Sequence, residues 1–531
     1  MVEWSVYRWI GGVLPSSRPI GGNSKMTLRN LDKGARRRAL SLVAAAALVL
    51  MSGSAALAQQ ASLVYMAPGL LASEDPHNHF SMQDIMHYGA IYDPLVRIDA
   101  DGQFVPSLAE SWAVSADGLT WTFNLRTGVT FHHGKAFTAE DVKFTFDRVR
   151  DPNLRQSFMW GALEEVSVVD DFTVVLRTSE PVAPFLNFVF MTSILPADAF
   201  TAFGDGFFDL QYGTGPFTFV SYERGVRGVY AKNENYWDSR YPLVDEAIWL
   251  RTGEDASAMA ALVAGEVDVL SNISLDLALE LEGRPGVKVH LLPSLEAHYL
   301  NVNVTREPFG DPRVILALNH AIDRLEIAEG LLMGQATPAV AYVPPALLGF
   351  HPGLELLDYD PIRAKELLAE AGYPDGVTVS LTFSTAWPDA PAVSQAIREQ
   401  ARPAGFNIEL SLLEHATYLD MRRTGNYDLA FIGSVAVTDE GVRWFQERIL
   451  HDADSHGYVS EELNDLILQL GSTVDPVAQE QVFWKIQEFM YGGPPVVFLY
   501  HPMHRNASRV DVDMAAAERG RALFQWLVDK R

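Results

Sequence analysis

Cysteine is absent from all 531 residues. That excludes disulfides and an N-terminal lipid-bearing cysteine, and a chain that is 48% apolar can bury a core large enough to do without cross-links. Past the N-terminal region no stretch is long or apolar enough for a transmembrane helix. Basic residues are scarce: 41 Lys and Arg stand against 67 Asp and Glu, for a net charge of −26. Nucleic acid or anionic lipid will not be held through a general basic patch. Catalytic signatures are missing too, with neither H-E-x-x-H nor G-x-S-x-G in the chain. Gly213-Thr214-Gly215 lacks the third glycine of a dinucleotide loop. Gly128 to Lys135 has a wrong spacing for a phosphate loop, and Ala136 replaces the magnesium-binding Ser/Thr. His77 with His79, and His132 with His133, have no carboxylate or cysteine at ligand spacing. No metal and no cofactor is expected, and the chain contains no internal repeat.

What is present begins with an export pattern. Lys33, Arg36, Arg37 and Arg38 precede an apolar run from Ala39 to Met51 and a small-x-small site at Ala56-Leu57-Ala58. Residues 1–58 therefore read as a signal peptide, with Met26 as an alternative start, and a mature chain beginning near Gln59. Removing eight basic and two acidic residues leaves a mature charge of about −32. Beyond it strands and helices alternate. Trp121 to Leu125 alternates apolar and polar residues as a half-buried strand does, and Asp117-Gly118 marks a turn before it. Thr138 caps a helix whose apolar face is Val142, Phe144, Thr145, Phe146 and Val149. Val166 to Arg177 forms a hairpin around Asp170-Asp171, and Gly213 to Phe217 reads as a tight turn between strands. Asp311-Pro312 and Asp360-Pro361 begin helices as cap plus first-turn proline. Val377 to Phe383, Ala392 to Ala401 and Phe406 to Leu412 give the β-α-β pattern of a parallel sheet.

Several segments carry a specific likeness: Tyr92-Asp93-Pro94-Leu95-Val96, Pro106-Ser107-Leu108-Ala109-Glu110-Ser111-Trp112, Trp121-Thr122-Phe123, Phe131-His132 and Thr138-Ala139-Glu140-Asp141-Val142. Gly213-Thr214-Gly215-Pro216-Phe217 follows, then Asn233, Tyr236 and Trp237, then Pro308 to Val314 and Ala321 to Arg324. In order and spacing these resemble the extracytoplasmic solute-binding proteins of ABC transporters, peptide/nickel-binding family (solute-binding protein family 5). His133 departs from the aspartate usual in that turn. The resemblance implies an α/β, two-lobed periplasmic binding protein-like fold of type II with an extra subdomain inserted in lobe I. Lobe I would comprise 59–91, 215–296 and 495–531, the inserted subdomain 92–214, and lobe II 297–494. It implies a monomer that is not an enzyme. Such a protein closes on a small solute, most simply an oligopeptide or dipeptide-like compound, and delivers it to ABC permease subunits driven by a separate ATPase. With no lipid or membrane anchor, it would be confined to the periplasm.

For the ligand the resemblance points to His79, in the loop after the first strand, and to the segment after Leu429 to Ile432. Peptide-binding relatives show Gly-Trp there and then an aspartate for the peptide's ammonium. This chain has Gly433-Ser434, and Val437 at the aspartate's place. An unpaired ammonium costs about 3–5 kcal/mol, so Asp439 or Glu440 must substitute, or the ligand is not an ordinary peptide. Thr438 and Asp439 suit hydroxyl or amide groups, or form a capped turn. Phe158, Trp160 and Trp387 either stack on ligand or belong to the core; Thr192 and Ser434 complete the candidates. An opine or modified amino acid, an oligosaccharide or a metal chelate remains compatible with the fold. From other classes, a hydrolase using paired carboxylates has only the acidic composition in its favour, and a periplasmic chaperone would bind unfolded chains without a discrete ligand.

Overall fold

The computed structural model describes residues 61–530, apart from 72, 79–81, 100–102, 346, 348, 385, 436–440, 451–456, 494 and 516–527. The proposed signal segment, His79, Val437, Thr438, Asp439 and Glu440 thus lie outside the described residues. Contacts separate residues 1–59 from a compact unit of 60–531, and the description concerns the latter.

The expected β-α-β unit is present. Val377–Ser384 runs parallel to Phe406–Leu413 and to Leu429–Val435, with helix Ala390–Ala401 between the first two. At the far end of the same sheet Ser62–Ala67 runs parallel to Glu246–Arg251 and Val269–Leu270. Between these halves stands Val496–Arg509, a strand of 14 residues. Its first part pairs antiparallel with Glu296–Val302, its last part with Val287–Pro293 and Val269–Leu270. The chain therefore crosses between the two halves twice side by side, once through Pro293 to Glu296 and once through His501 to Met503. Ser294 N–H donates to the Pro502 carbonyl at 3.3 Å at this crossing. One sheet of 12 strands results, with two lobes built on its ends. In the second half the sheet is covered on both faces, by a core including Ile315, Leu318 and Ile397 and by another including Trp444, Phe483 and Ile486. Helices Pro312–His320 and Pro361–Glu370 are capped as expected, with Asp311 accepting from Arg313 N–H and Asp360 from Ile362 and Arg363 N–H.

A separate antiparallel sheet of four strands contains Ala109–Val114, Thr120–Leu125, Thr173–Thr178 and Leu163–Asp170 in that order. Trp121, Phe123 and Leu125 are buried in alternation. Helix Ala139–Val149 buries Val142, Thr145, Phe146 and Val149 against this sheet's core, while Phe144 turns aside to meet the Phe200 ring at 5.3 Å. Asp141 accepts from Thr138 N–H at 3.0 Å, closing the helix start. The tip of this subdomain reaches the second half: Ala183 N–H donates to the Gly471 carbonyl at 3.0 Å, and Val474 packs against the subdomain's core.

Three of the sequence motifs meet at one atom group. The Asp93 carboxylate, fully buried, accepts from Thr214 Oγ1 at 3.0 Å, Tyr236 Oη at 3.2 Å, Trp237 Nε1 at 2.8 Å and the Arg97 guanidinium. Arg126 lies over the Trp237 ring at 4.4 Å. The reading of Gly213 to Phe217 as a turn between strands is corrected here. A Cβ on Gly213 would fall 1.9 Å from the Ile91 carbonyl oxygen, and one on Gly215 2.5 Å from the Ile91 carbonyl carbon. Gly215 N–H donates to that carbonyl at 2.9 Å. Glycine is needed because two backbones touch, not because the chain reverses.

Candidate functional site

In open α/β sheets the loops at the carboxyl ends of parallel strands gather at a crevice. Two such connections can be traced, from Ser62–Ala67 to the residues around Asp75 and His77 and from Val377–Ser384 to Trp387, while the segment 436–440 after Leu429–Val435 lies outside the described residues.

The first loop is clamped at its far end. Arg148 bridges to Asp75 Oδ2 at 2.6 Å and to His77 Nδ1 at 2.6 Å. His77 Nε2 meets the Ser193 carbonyl at 2.8 Å. A carbonyl only accepts and a guanidinium only donates, so the imidazole carries its proton on Nε2. His77 is structural. Gln156 Nε2 donates to the Pro76 carbonyl at 3.1 Å and to the Met191 carbonyl at 3.3 Å. The short helix Arg155–Trp160 and the segment around Thr192 are thereby tied to the loop that leads to position 79.

Among the candidates carried on those elements, Phe158 is 48% exposed. Trp160 is not a cleft residue. It is buried edge-on to Phe146 at 4.7 Å and Phe185 at 5.7 Å, inside the subdomain core, where its ring fills space that the sheet and helix leave between them. Thr192 is likewise buried, its hydroxyl spent on the Phe188 carbonyl at 2.8 Å in the preceding helix. His132 is held by backbone, through the Gly215 carbonyl at 3.0 Å and Gly213 N–H at 3.2 Å. Among the described residues no group of three metal-ligating side chains forms.

The second connection meets the strand Leu429–Val435 at Gly433. Trp387 is half-buried, its ring edge-on to Tyr418 at 5.6 Å and His415 at 5.9 Å. A Cβ on Gly433 would lie 2.3 Å from Trp387 Nε1 and 2.6 Å from Glu296 Oε1. The indole and a carboxylate thus occupy the space that any other residue would need. Ser434 is buried and pairs with Ala297, so strand alternation turns it to the face opposite Gly433, away from Trp387.

Glu296 belongs to a cluster that sequence reading did not select. His298 Nε2 meets Glu296 Oε1 at 2.9 Å and His298 Nδ1 meets Tyr500 Oη at 2.8 Å. His501 Nδ1 meets the Glu296 carbonyl at 3.1 Å. Burial pushes the Glu296 carboxyl up, but the His298 charge and hydrogen bond, with His504 beyond, hold it below the usual carboxylate range. Burial lowers His501 to about 4 and lowers His504, so both are neutral at neutral pH. Tyr500 is raised well above its ordinary value by burial, then by Asp389 and Glu296. Arg505 turns away, donating from Nε to Gln335 Oε1 at 2.6 Å and facing Asp389 at 3.5 Å. The available signal was the pair Glu296 and His298, two ionisable residues two apart at the start of a strand that continues Tyr-Leu-Asn-Val.

Two lobes joined by two crossing strands define the class: a two-lobed binding protein of the periplasmic type. The family follows from sequence. Residues 103–453 match the model for bacterial extracellular solute-binding proteins, family 5 Middle, and the chain belongs to that family. It is 32% identical over 333 residues to the glutathione-binding protein GsiB of Pectobacterium atrosepticum, an alignment covering 61% of this chain and 64% of that one. The periplasmic binding protein DppA of Helicobacter pylori, solved with the peptide STSA, superposes with a TM-score of 0.74 at 25% identity, covering 89% of this chain and 98% of its own. MoaA of A. tumefaciens R10, solved with mannopinic acid, gives 0.72 at 26% identity, covering 89% and 100%. No described helix is long and apolar enough to cross a membrane.

Proposed function

We propose that the exported, unlipidated protein captures a small peptide-like solute between its lobes in the periplasm and hands it to the permease of an ABC importer, with energy from a separate ATPase. No bond is made or broken in this role. The observation that carries the reading is the family match over residues 103–453, on a chain whose sheet holds a double strand crossing between its two halves. We take lobe I as 59–91, 215–296 and 495–531 with 92–214 inserted, and lobe II as 297–494. Glutathione and peptide STSA in the relatives' names favour a peptide-like solute, with His79, Phe158, Trp387 and the 436–440 loop as its surroundings. A second reading, an opine, is favoured by mannopinic acid in MoaA and by Val437 where a carboxylate is expected.

Thermal unfolding of the mature chain, Gln59 to Arg531, separates these readings when run against glutathione, dipeptides, tetrapeptides and mannopinic acid. At a hundredfold excess over its dissociation constant a true ligand adds about 2.7 kcal/mol of stability. An upward shift with peptides supports the first reading, and a shift with mannopinic acid alone supports the second. No shift with any solute, together with turnover of a glycoside or peptide, would sink the transport role.

A further inference from the structure

The geometry points to Glu296 as the counter-ion for a protonated amine on the ligand, with the Trp387 indole as the wall beside it. This deepens the binding function proposed above and rests on it.

The Glu296 carboxylate is met on one side only. Its side chain is 18% exposed, and among the described residues its ion-pair partner is His298, whose Nε2 lies 2.9 Å from Oε1 and whose Nδ1 lies 2.8 Å from Tyr500 Oη. No described residue donates a hydrogen bond to Oε2. The other groups facing the carboxylate add no permanent positive charge. On the strand Val496–Arg509, His501 and His504 are both neutral at neutral pH, and the Arg505 guanidinium is directed to Gln335 and Asp389. Across the sheet the Glu296 partner is Val435, and the covering residue is Trp387. A largely buried carboxylate with one oxygen unmet is costly to maintain unless something supplies a donor. An ammonium group fits, because it donates to a carboxylate oxygen and carries the opposite charge. Glu296 further stands beside Gly433, which opens the segment where Val437 leaves a carboxylate missing.

The test uses the mature chain with glutathione and the dipeptide Met-Leu, each free and N-acetylated, titrated by calorimetry. The expected result is that wild-type protein prefers the free amine by about a hundredfold, and that Glu296→Gln loses this preference while its melting temperature is retained. Glu296→Asp, which keeps the charge, should restore part of the preference and guards against a folding defect in the Gln variant. A preference surviving in Glu296→Gln would overturn the assignment in favour of Asp439 or Glu440. Wild-type protein that binds only a neutral sugar would overturn it while leaving the transport role intact, whereas wild-type protein that binds no solute would overturn both.

Discussion

Two buried carboxylates, Asp93 and Glu296, have opposite surroundings. Asp93 is met by a guanidinium, a hydroxyl, a phenol and an indole, the last three from residues more than 100 positions away in sequence. Glu296 is met by one imidazole. A fully satisfied anion fixes architecture, since every donor around it is immobilised. An under-satisfied anion is suited to receive a partner from outside, and the stability it forgoes becomes affinity.

The sharpest way to break this contrast is Asp93→Ala. It strands the Arg97 charge and three further donors, and should cost about 3–5 kcal/mol, read as a lower urea midpoint or loss of soluble protein. An unchanged midpoint would mean that Asp93 is no hub. Next comes Gly213→Ala, where the new Cβ meets the Ile91 carbonyl oxygen at 1.9 Å. Overpacking of that kind should cost about 1–3 kcal/mol, and a neutral result would show that the two backbones can separate.

A buried base tests the same rule with opposite sign. His87 is buried on the Trp249 ring at 3.6 Å, neither ring nitrogen has a hydrogen-bond partner, and burial lowers it to about 3. Its folded value lies below its unfolded one, so protonation favours the unfolded chain. This contribution to stability is complete above about pH 6.5 and is lost as the pH falls toward 3. His87→Leu should therefore gain about 2 kcal/mol on wild type between pH 8 and pH 5; equal acid sensitivity in urea melts of the two proteins would refute the assignment. The smallest effect on folding is expected at Glu296→Gln, within about 1 kcal/mol of wild type. A large loss there would move Glu296 into the same structural class as Asp93.

The scaffold was largely legible in the sequence because its motifs are mutually dependent. Asp93, Thr214, Tyr236 and Trp237, drawn from three separate motifs, each supply a part of one buried network. The alternation in Trp121 to Leu125 and the helix from Ala139 likewise express a period that one buried face imposes. The candidate site was less legible. Trp160 and Thr192 have side chains a ligand could use, but whether a ring faces core or cleft depends on packing that no local pattern encodes. Glu296 and His298 look like the solvent face of a strand until Trp387 and Tyr500 are seen beside them. Gly213 looked like a turn because close backbone contact and chain reversal select the same residue.

The strand Val496–Arg509 also bears on how this chain can change over evolution. Its first part is registered on His298 to Asn301, with one register shift between His298 and Tyr299, and its last part on Val287–Pro293. Side chains on a strand alternate, so inserting or deleting one residue near Pro502 would turn every residue on one side of that point to the wrong face. Asn506 and Ser508 would exchange places with their neighbours, or Phe498 and Tyr500 would. Substitutions at the crossing can be absorbed one at a time, but a change of length there cannot, and the number of residues between Tyr500 and Arg505 should be among the least variable distances in the sequence.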